Sequence, residues 1–259
     1  MVIALLSDFG LEDHYVGSMK GVLARLAPAA KVVDLGHQIA PYDRIQGGLL
    51  LYQTYPYFPP KTIFVAVVDP GVGSARKGIL VETDDYFFLG PDNGLLSMAL
   101  GEQKIRRIFD LSHEKYFLDS VSPTFHGRDI FAPVAAHLAL GVAPESFGEE
   151  LTDYQRLPAF VPSFNTKEIT GQILAFDRFG NAISNLSRKF FNRHYQKPTL
   201  DLKVGGRNFE CLHTHYAAVP SGEGLALFGG GDLLEIAVHQ GSAEKIFSLK
   251  RGDTLRLAL

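Results

Sequence analysis

Val2-Ile3-Ala4-Leu5-Leu6 is a continuous apolar run that meets Ser7-Asp8 and Gly10 without transition, the pattern of a short strand buried on both faces. Between Tyr15 and Leu26, Val16, Met19, Val22, Leu23 and Leu26 recur at helical spacing, and Pro28 stops them. The alternation then repeats. Residues 31–35 read as a strand, and 43–55 as a helix with Ile45, Leu49, Leu50 and Tyr52 periodic and Pro56 at its end. Residues 62–68 read as another buried strand, running into Asp69. Strand–helix–strand–helix–strand in that order predicts a mostly parallel sheet with helices on its faces.

Beyond Asp69 the rhythm changes. Residues 78–83 and 86–89, separated only by Asp84-Asp85, read as a hairpin; 95–100 read as a short helix and 129–140 as a longer one. The stretch 144–162 is punctuated by Pro144, Pro158 and Pro162 and has little periodicity, which predicts a surface linker. From residue 167 short strand-like pieces follow one another (168–176, 182–186, 199–204, 207–213, 224–228, 233–238 and 254–259), with Gly205-Gly206 as a hairpin turn. The expected fold class is α/β: an N-terminal α/β domain over 1–145 with a mostly parallel central sheet, a linker over 146–165, and a smaller C-terminal β-barrel-like domain over 166–259.

The 259 residues are 46% hydrophobic and 20% charged, which sets the chain apart from disordered and collagenous sequences. A formal charge of −3 gives no electrostatic reason to expect nucleic acid or an anionic membrane as partner. The single cysteine cannot staple the chain internally, the N-terminus lacks a basic region of the signal-peptide kind, and no apolar run has the length of a membrane span. A cytoplasmic location is the expectation.

Ligands of open parallel sheets bind beyond the carboxyl ends of the strands. Asp8 and Asp69 follow two of the first three strands, so the two carboxylates converge if those strands are neighbours; alternatively each simply caps its turn. The loop Asp69-Pro70-Gly71-Val72-Gly73-Ser74-Ala75-Arg76-Lys77 is glycine-rich, yet Arg76 occupies the place of the third glycine of a dinucleotide fingerprint and the loop lacks the ending of a P-loop. In Thr124-Phe125-His126-Gly127-Arg128-Asp129 a histidine precedes a helix start, where the helix end depresses an imidazole pKa; Arg128 and Asp129 are free to pair with each other. In Asp177-Arg178-Phe179-Gly180-Asn181, Phe179 offers a ring face and Asn181 a donor and an acceptor suited to a purine edge, or the segment is only a turn. Cys211, His213 and His215 alternate and would face one way on a strand, but no second Cys/His pair accompanies them, and no metal is expected.

Ser7-Asp8-Phe9-Gly10 with Tyr15-Val16-Gly17 and Met19-Lys20-Gly21, His37-Gln38-Ile39, Val68-Asp69-Pro70-Gly71-Val72-Gly73, Gly90-Pro91-Asp92-Asn93-Gly94-Leu95, Phe125-His126-Gly127-Arg128-Asp129 and Asp177-Arg178-Phe179-Gly180-Asn181 occur in one order. In these motifs the chain resembles the S-adenosyl-L-methionine (SAM) hydroxide adenosyltransferase family, relatives of the SAM-dependent fluorinase and chlorinase. The resemblance implies hydrolysis of SAM to adenosine and L-methionine by water or hydroxide attack at ribose C5′. It implies Asp69, Arg76 and His126 as the catalytic set, Asp8 as the ribose-binding carboxylate, and Asp177, Phe179 and Asn181 as adenine and methionine contacts. It also implies a homotrimer with SAM between the first domain of one subunit and the second domain of its neighbour, no cofactor beyond SAM as substrate, and no metal.

Three differences separate this chain from the halogenases it resembles. It lacks their long insertion between the strands that Asp84-Asp85 joins, it keeps Asp69, and it has His126-Gly127 where they carry Tyr and Ser. The alternatives are a halide-using adenosyltransferase and a SAM- or adenosine-binding protein without turnover. The segment Phe228-Gly229-Gly230-Gly231-Asp232 departs from the family, which carries a Ser near the methionine end.

Overall fold

The computed structural model describes residues 1–259, which divide into two compact units, Met1–Leu157 and Pro158–Leu259. The first unit runs β1 (Val2–Ser7), α1 (Tyr15–Leu26), β2 (Lys31–Gly36), α2 (Arg44–Thr54), β3 (Ile63–Val67), β4 (Gly78–Thr83), β5 (Phe87–Pro91), α3 (Ser97–Leu100), β6 (Ile105–Asp110), α4 (Ala132–Ala139) and β7 (Glu150–Leu151). Its seven strands form one sheet in the order β2-β1-β3-β5-β4-β6-β7.

The pairings β2–β1, β1–β3 and β3–β5 are parallel, whereas β5–β4, β4–β6 and β6–β7 are antiparallel. The expected mostly parallel sheet is therefore parallel in one half only. The reason is covalent: a two-residue turn such as Asp84-Asp85 can join only antiparallel strands, because a parallel return needs a crossover of a dozen residues or more. Strand β1 shows why its sequence is apolar throughout. Ile3 and Leu5 enter the core shared with α1 and α4, including Met19, Leu23 and Val134, while Ala4 and Leu6 enter the opposite core with Leu51, Phe64 and Phe88. Each fully buried aliphatic side chain contributes about 1.5–3 kcal/mol. Helix α2 is N-capped by Asp43, whose carboxylate accepts from the Gln46 N–H at 2.9 Å.

The second unit contains β8 (Ser163–Phe164), β9 (Glu168–Phe176), β10 (Ala182–Ser187), α5 (Arg188–His194), β11 (Leu202–Val204), β12 (Arg207–Phe209), β13 (Leu212–His213), β14 (Gly224–Phe228), β15 (Leu233–Val238), α6 (Ala243–Ile246) and β16 (Thr254–Ala258). Nine strands follow the path β12-β11-β16-β9-β10-β15-β14-β13, with β8 beside β9. Strand β9 carries the sheet around: residues 168–172 pair with β16, and 173–176 turn to pair with β10. The result is nearly barrel-shaped and mostly antiparallel, open between β12 and β13; only β13–β14 is parallel. The interior is apolar, around Ile169, Leu186, Leu202, Leu234, Ile236 and Leu257.

The expected strand 207–213 is two strands with different partners, β12 on β11 and β13 on β14. That breaks the alternation on which a shared face for Cys211, His213 and His215 depended. Cys211 Sγ meets His213 Nε2 at 3.2 Å, and no group of three or more His, Cys, Asp or Glu is arranged to hold a metal ion. The boundary between the units falls within the proline-marked stretch 146–165, which is not free chain: it holds β7, a 3-10 turn at Pro158–Phe160, and β8. No helix is long and apolar enough to cross a membrane.

Candidate active site

Strands β1 and β3 are parallel neighbours in register Ser7↔Val67, so Asp8 and Asp69 leave the sheet side by side at its carboxyl end. Asp8 Oδ2 accepts from the Tyr42 backbone N–H at 2.8 Å. Burial pushes the Asp8 carboxyl above its ordinary pKa, partly offset by the Tyr42 hydrogen bond, and the Asp69 charge adds to the rise. Two carboxylates thus share one field at this edge.

Asp69 is the one with a compensating cation. Arg76 Nε donates to both carboxylate oxygens at 3.0 and 2.9 Å, and Nη2 is ion-paired with Oδ2, with the two side chains only 10% and 5% exposed. The loop is folded to make this return possible. Val72 N–H donates to Asp69 O and Ser74 N–H to Gly71 O, while Ser74 Oγ accepts from Arg76 N–H at 3.3 Å. Gly73 sits at φ +77°, and a Cβ there would lie 2.2 Å from Pro123 O. Only glycine permits both that backbone conformation and the approach of the segment that carries His126. Behind the loop, Asn93 Nδ2 donates to Val68 O at 2.9 Å and Arg44 Nη1 donates to Asn93 O at 2.8 Å, fixing the strand end from which Asp69 projects.

His126 closes the group. Arg76 Nη2–H donates to its Nδ1 at 2.6 Å, and the guanidinium lies 5.7 Å from the Phe131 ring centroid. A guanidinium is only ever a donor, so Nδ1 offers its lone pair and the proton of the neutral ring is on Nε2. Arg76 therefore bridges Asp69 and His126; no direct His126–Asp69 pair is formed. His126 begins the π-helical turn Gly127–Phe131, which continues into α4. Burial, followed by the Arg76 charge, lowers the imidazole pKa, while Asp69 and Asp129 oppose the shift. These causes differ from the helix-end effect expected from the sequence. Arg128 and Asp129 do pair, Nε on Oδ1 at 2.6 Å and Nη2 on Oδ2 at 2.9 Å. The fully buried Asp129 also accepts the Ser122 N–H at 2.8 Å, pinning the loop before His126.

The second unit carries a separate constellation. At the end of β9, Asp177 Oδ1 accepts from the Phe179 and Asn181 backbone N–H groups, both at 2.9 Å, and Oδ2 accepts from Asn181 Nδ2 at 2.9 Å. Asp177 thus organises the turn, and Asn181 spends one amide N–H within it. Phe179 is held out at 76% exposure. A cavity of about 590 Å³ opens beside this turn, walled by Tyr216, Val238 and Gln240-Gly241 as well. Tyr216 OH donates to Glu235 Oε2 at 2.8 Å. Burial is the main cause pushing both of these groups up, and the Asp177 charge adds to it.

A Cβ on Gly229 would fall 1.7 Å from Glu235 Oε1, so this carboxylate occupies the space a side chain at 229 would need. Tyr216 and Gln240 are not legible as site residues in the sequence, because each stands alone in its stretch, one in the turn before β14 and the other in the turn after β15; Glu235 enters only as the acceptor of the Tyr216 hydroxyl.

The SAM hydroxide adenosyltransferase N-terminal domain matches residues 3–148 and the corresponding C-terminal domain residues 171–256. The chain is 42% identical to the (R)-S-adenosyl-L-methionine hydrolase of Thermus thermophilus, over 98% of each chain. A fluorinase of Actinoplanes sp. N902-109 is 26% identical over 72% of each chain. Among solved structures, an uncharacterised conserved protein from Thermotoga maritima superposes with a TM-score of 0.89 at 35% identity, covering 99% of this chain and 100% of that one.

Proposed function

The chain belongs to the SAM hydroxide adenosyltransferase family, and on that premise we propose that it is an enzyme that hydrolyses SAM to adenosine and L-methionine. The observation that carries the chemistry is the bridging of Asp69 and His126 by Arg76 beside Asp8, at the carboxyl end of the parallel strands.

The leaving group is a sulfonium that departs as a neutral thioether, so no acid has to protonate it. The difficulty lies with the nucleophile, since water is weak and hydroxide is scarce near neutrality. A water arriving between Arg76 and His126 takes the Nη2–H donor onto its oxygen and gives its own proton to His126 Nδ1. The hydroxide so formed, held by the always-charged guanidinium, attacks C5′ opposite the C–S bond. The C5′–O bond forms, the C5′–S bond breaks with its electron pair on sulfur, and the proton on His126 is later lost to solvent. Asp69 keeps Arg76 oriented throughout. Substrate, water and these side chains balance the reaction, and we assign it no cofactor and no metal.

Asp8 is assigned to the ribose diol, because a carboxylate can accept from both hydroxyls. Phe179, Asn181 and Asp177 are assigned to the adenine and methionine parts; the exposed Phe179 ring beside the cavity supports this. Because each unit carries only part of the residue set, we propose a homotrimer in which SAM lies between the first unit of one subunit and the second unit of its neighbour. We assign residues 1–145 and 166–259 as the corresponding functional domains and propose a cytoplasmic location, with no nucleic-acid or membrane partner. A halide-using reading is disfavoured by the residues themselves: a halide arrives as an anion and needs no proton acceptor, whereas this chain sets His126 Nδ1 against the Arg76 that Asp69 orients.

The test is incubation with SAM in heavy-oxygen water without halide or metal. The Thermus thermophilus relative is named for the (R) form, so both sulfonium epimers go into the assay. Adenosine bearing the heavy oxygen, with methionine, is the expected product. Tight SAM binding without product would replace this reading with a non-catalytic binding protein.

The close packing of Gly73 yields a second expectation. Gly73→Ala forces the 69–77 loop away from Pro123 and separates Arg76 from His126, so turnover falls on the order of 100-fold, the usual cost of a displacement of about 1 Å. Steady-state rates measured beside thermal melting check this; unchanged turnover in a folded variant would mean that the contact is not needed.

A further inference from the structure

Outside the constellations above, the first unit holds a chain of polar side chains that the reaction does not use. Ser7 Oγ–H donates to His37 Nδ1 at 2.7 Å, His37 Nε2–H donates to Asp34 Oδ1 at 3.1 Å, and Lys20 Nζ donates to Asp34 Oδ2 at 2.6 Å. Proton placement follows from the acceptor. Lys20 and His37 hold the Asp34 carboxyl below its ordinary pKa although burial, the largest single cause, opposes them; an ionised Asp34 needs the ring proton on Nε2, which leaves Nδ1 to accept from Ser7.

The sequence of groups is that of a serine hydrolase, but the roles cannot be. Ser7 is 0% exposed and His37 4%, so no substrate reaches the hydroxyl. What the chain does reach is the backbone around Asp8. Phe9 N–H donates to Ser7 Oγ at 3.4 Å, Gly10 N–H donates to His37 O at 2.7 Å, and the Asp8 carboxylate accepts from Tyr42 in the segment that follows His37. Residues 7, 9 and 10 are thus all tied to His37, directly or through Ser7, and the residue between them is Asp8.

We infer that His37 is a positioning residue: the Lys20–Asp34–His37–Ser7 chain fixes the 7–10 loop so that the Asp8 carboxylate meets both ribose hydroxyls of the substrate. The inference rests on the assignment of Asp8 to the ribose. It makes a non-reacting network, buried at Ser7 and His37 and open to solvent at Asp34 and Lys20, the determinant of discrimination for a ribose over a deoxyribose.

The measurement is kcat/KM for SAM and for its 2′,3′-dideoxy analogue, in the wild type and in Asp8→Asn, Ser7→Ala and His37→Gln. A carboxylate bonded to hydroxyls is worth about tenfold or more, so the wild type prefers SAM by at least that factor. Asp8→Asn removes the preference. Ser7→Ala and His37→Gln are expected to remove most of it too, mainly through KM for SAM, with the dideoxy analogue little affected and no further loss when either is combined with Asp8→Asn. A merely structural role would lower both substrates together and leave the ratio unchanged.

If Asp8→Asn leaves the preference intact, the ribose assignment fails and the inference falls with it. If Asp8→Asn abolishes the preference and the two network variants keep it, the assignment stands and the network is overturned. Should the buried variants fold poorly, Asp34→Asn and Lys20→Met, at side chains 38% and 41% exposed, carry the same comparison.

Discussion

Arg76→Ala is expected to lower turnover by two to three orders of magnitude, on the order of what removal of one preorganised donor costs at a developing charge, while KM for SAM moves little. The asymmetry follows from its contacts. Both partners of Arg76, Asp69 and His126, belong to the nucleophile's surroundings. Equal losses in turnover and in substrate affinity would contradict the role. The variant also strands the Asp69 carboxylate at 5% exposure without its cation, a loss of about 3–5 kcal/mol for a buried pair, visible as a lower melting temperature. Arg76→Lys separates the two effects. An ammonium can neutralise Asp69 but cannot span Asp69 and His126 as the fork does, so stability returns and turnover does not.

His126→Ala is expected to lower turnover about 10²–10⁴-fold by removing the proton acceptor. It also removes the acid limb of the pH–rate profile. Because burial and Arg76 lower the imidazole pKa, the wild-type ring stays neutral and basic below the usual histidine range, and the acid limb lies below pH 6.5. The same shift acts on stability in the matching direction. Below the ordinary imidazole value the unfolded chain takes up a proton that the folded chain refuses, so this residue makes the fold less stable as pH falls through that window. A profile unchanged in His126→Ala would assign the proton to another group.

Much of the first unit is legible from periodicity because both of its cores are built on regular repeats. Helix α1 spans the residues that the spacing of Val16, Met19, Val22 and Leu23 predicts, and β1 is buried on alternate sides as a continuous apolar run requires. The adjacency of β1 and β3, on which the convergence of Asp8 and Asp69 depended, comes from the structure: β1 lies between β2 and β3, an order that the alternation of strands and helices leaves open. Of the antiparallel half, the hairpin β4–β5 is read from its two strand patterns and the Asp84-Asp85 turn, whereas β6 and β7 are not. Strand β6, Ile-Arg-Arg-Ile-Phe-Asp, mixes charge with apolar residues, and β7 has two residues, too few to show a pattern. Helix α5 is hidden in a stretch rich in aromatic and basic residues, and its N-cap, Ser187 accepting from Phe190 N–H, is its clearest local signal. In the site, Arg76 and His126 are 50 positions apart and meet only because two loops close on each other over Gly73. Contacts between loops leave no period in a sequence.

The turn between β4 and β5 has a consequence for how such enzymes diversify. Asp85 O accepts from the Lys61 N–H just before β3, and Phe87 is in register with Ile63, so the turn stands at the amino end of the parallel strands, the edge opposite Asp8 and Asp69. Chain length can be added there without rebuilding the reactive edge of the same sheet. A graft at that turn would therefore change the outline of the protein and leave its chemistry alone; converting a water-using scaffold to another nucleophile has to begin with the side chains at the opposite edge.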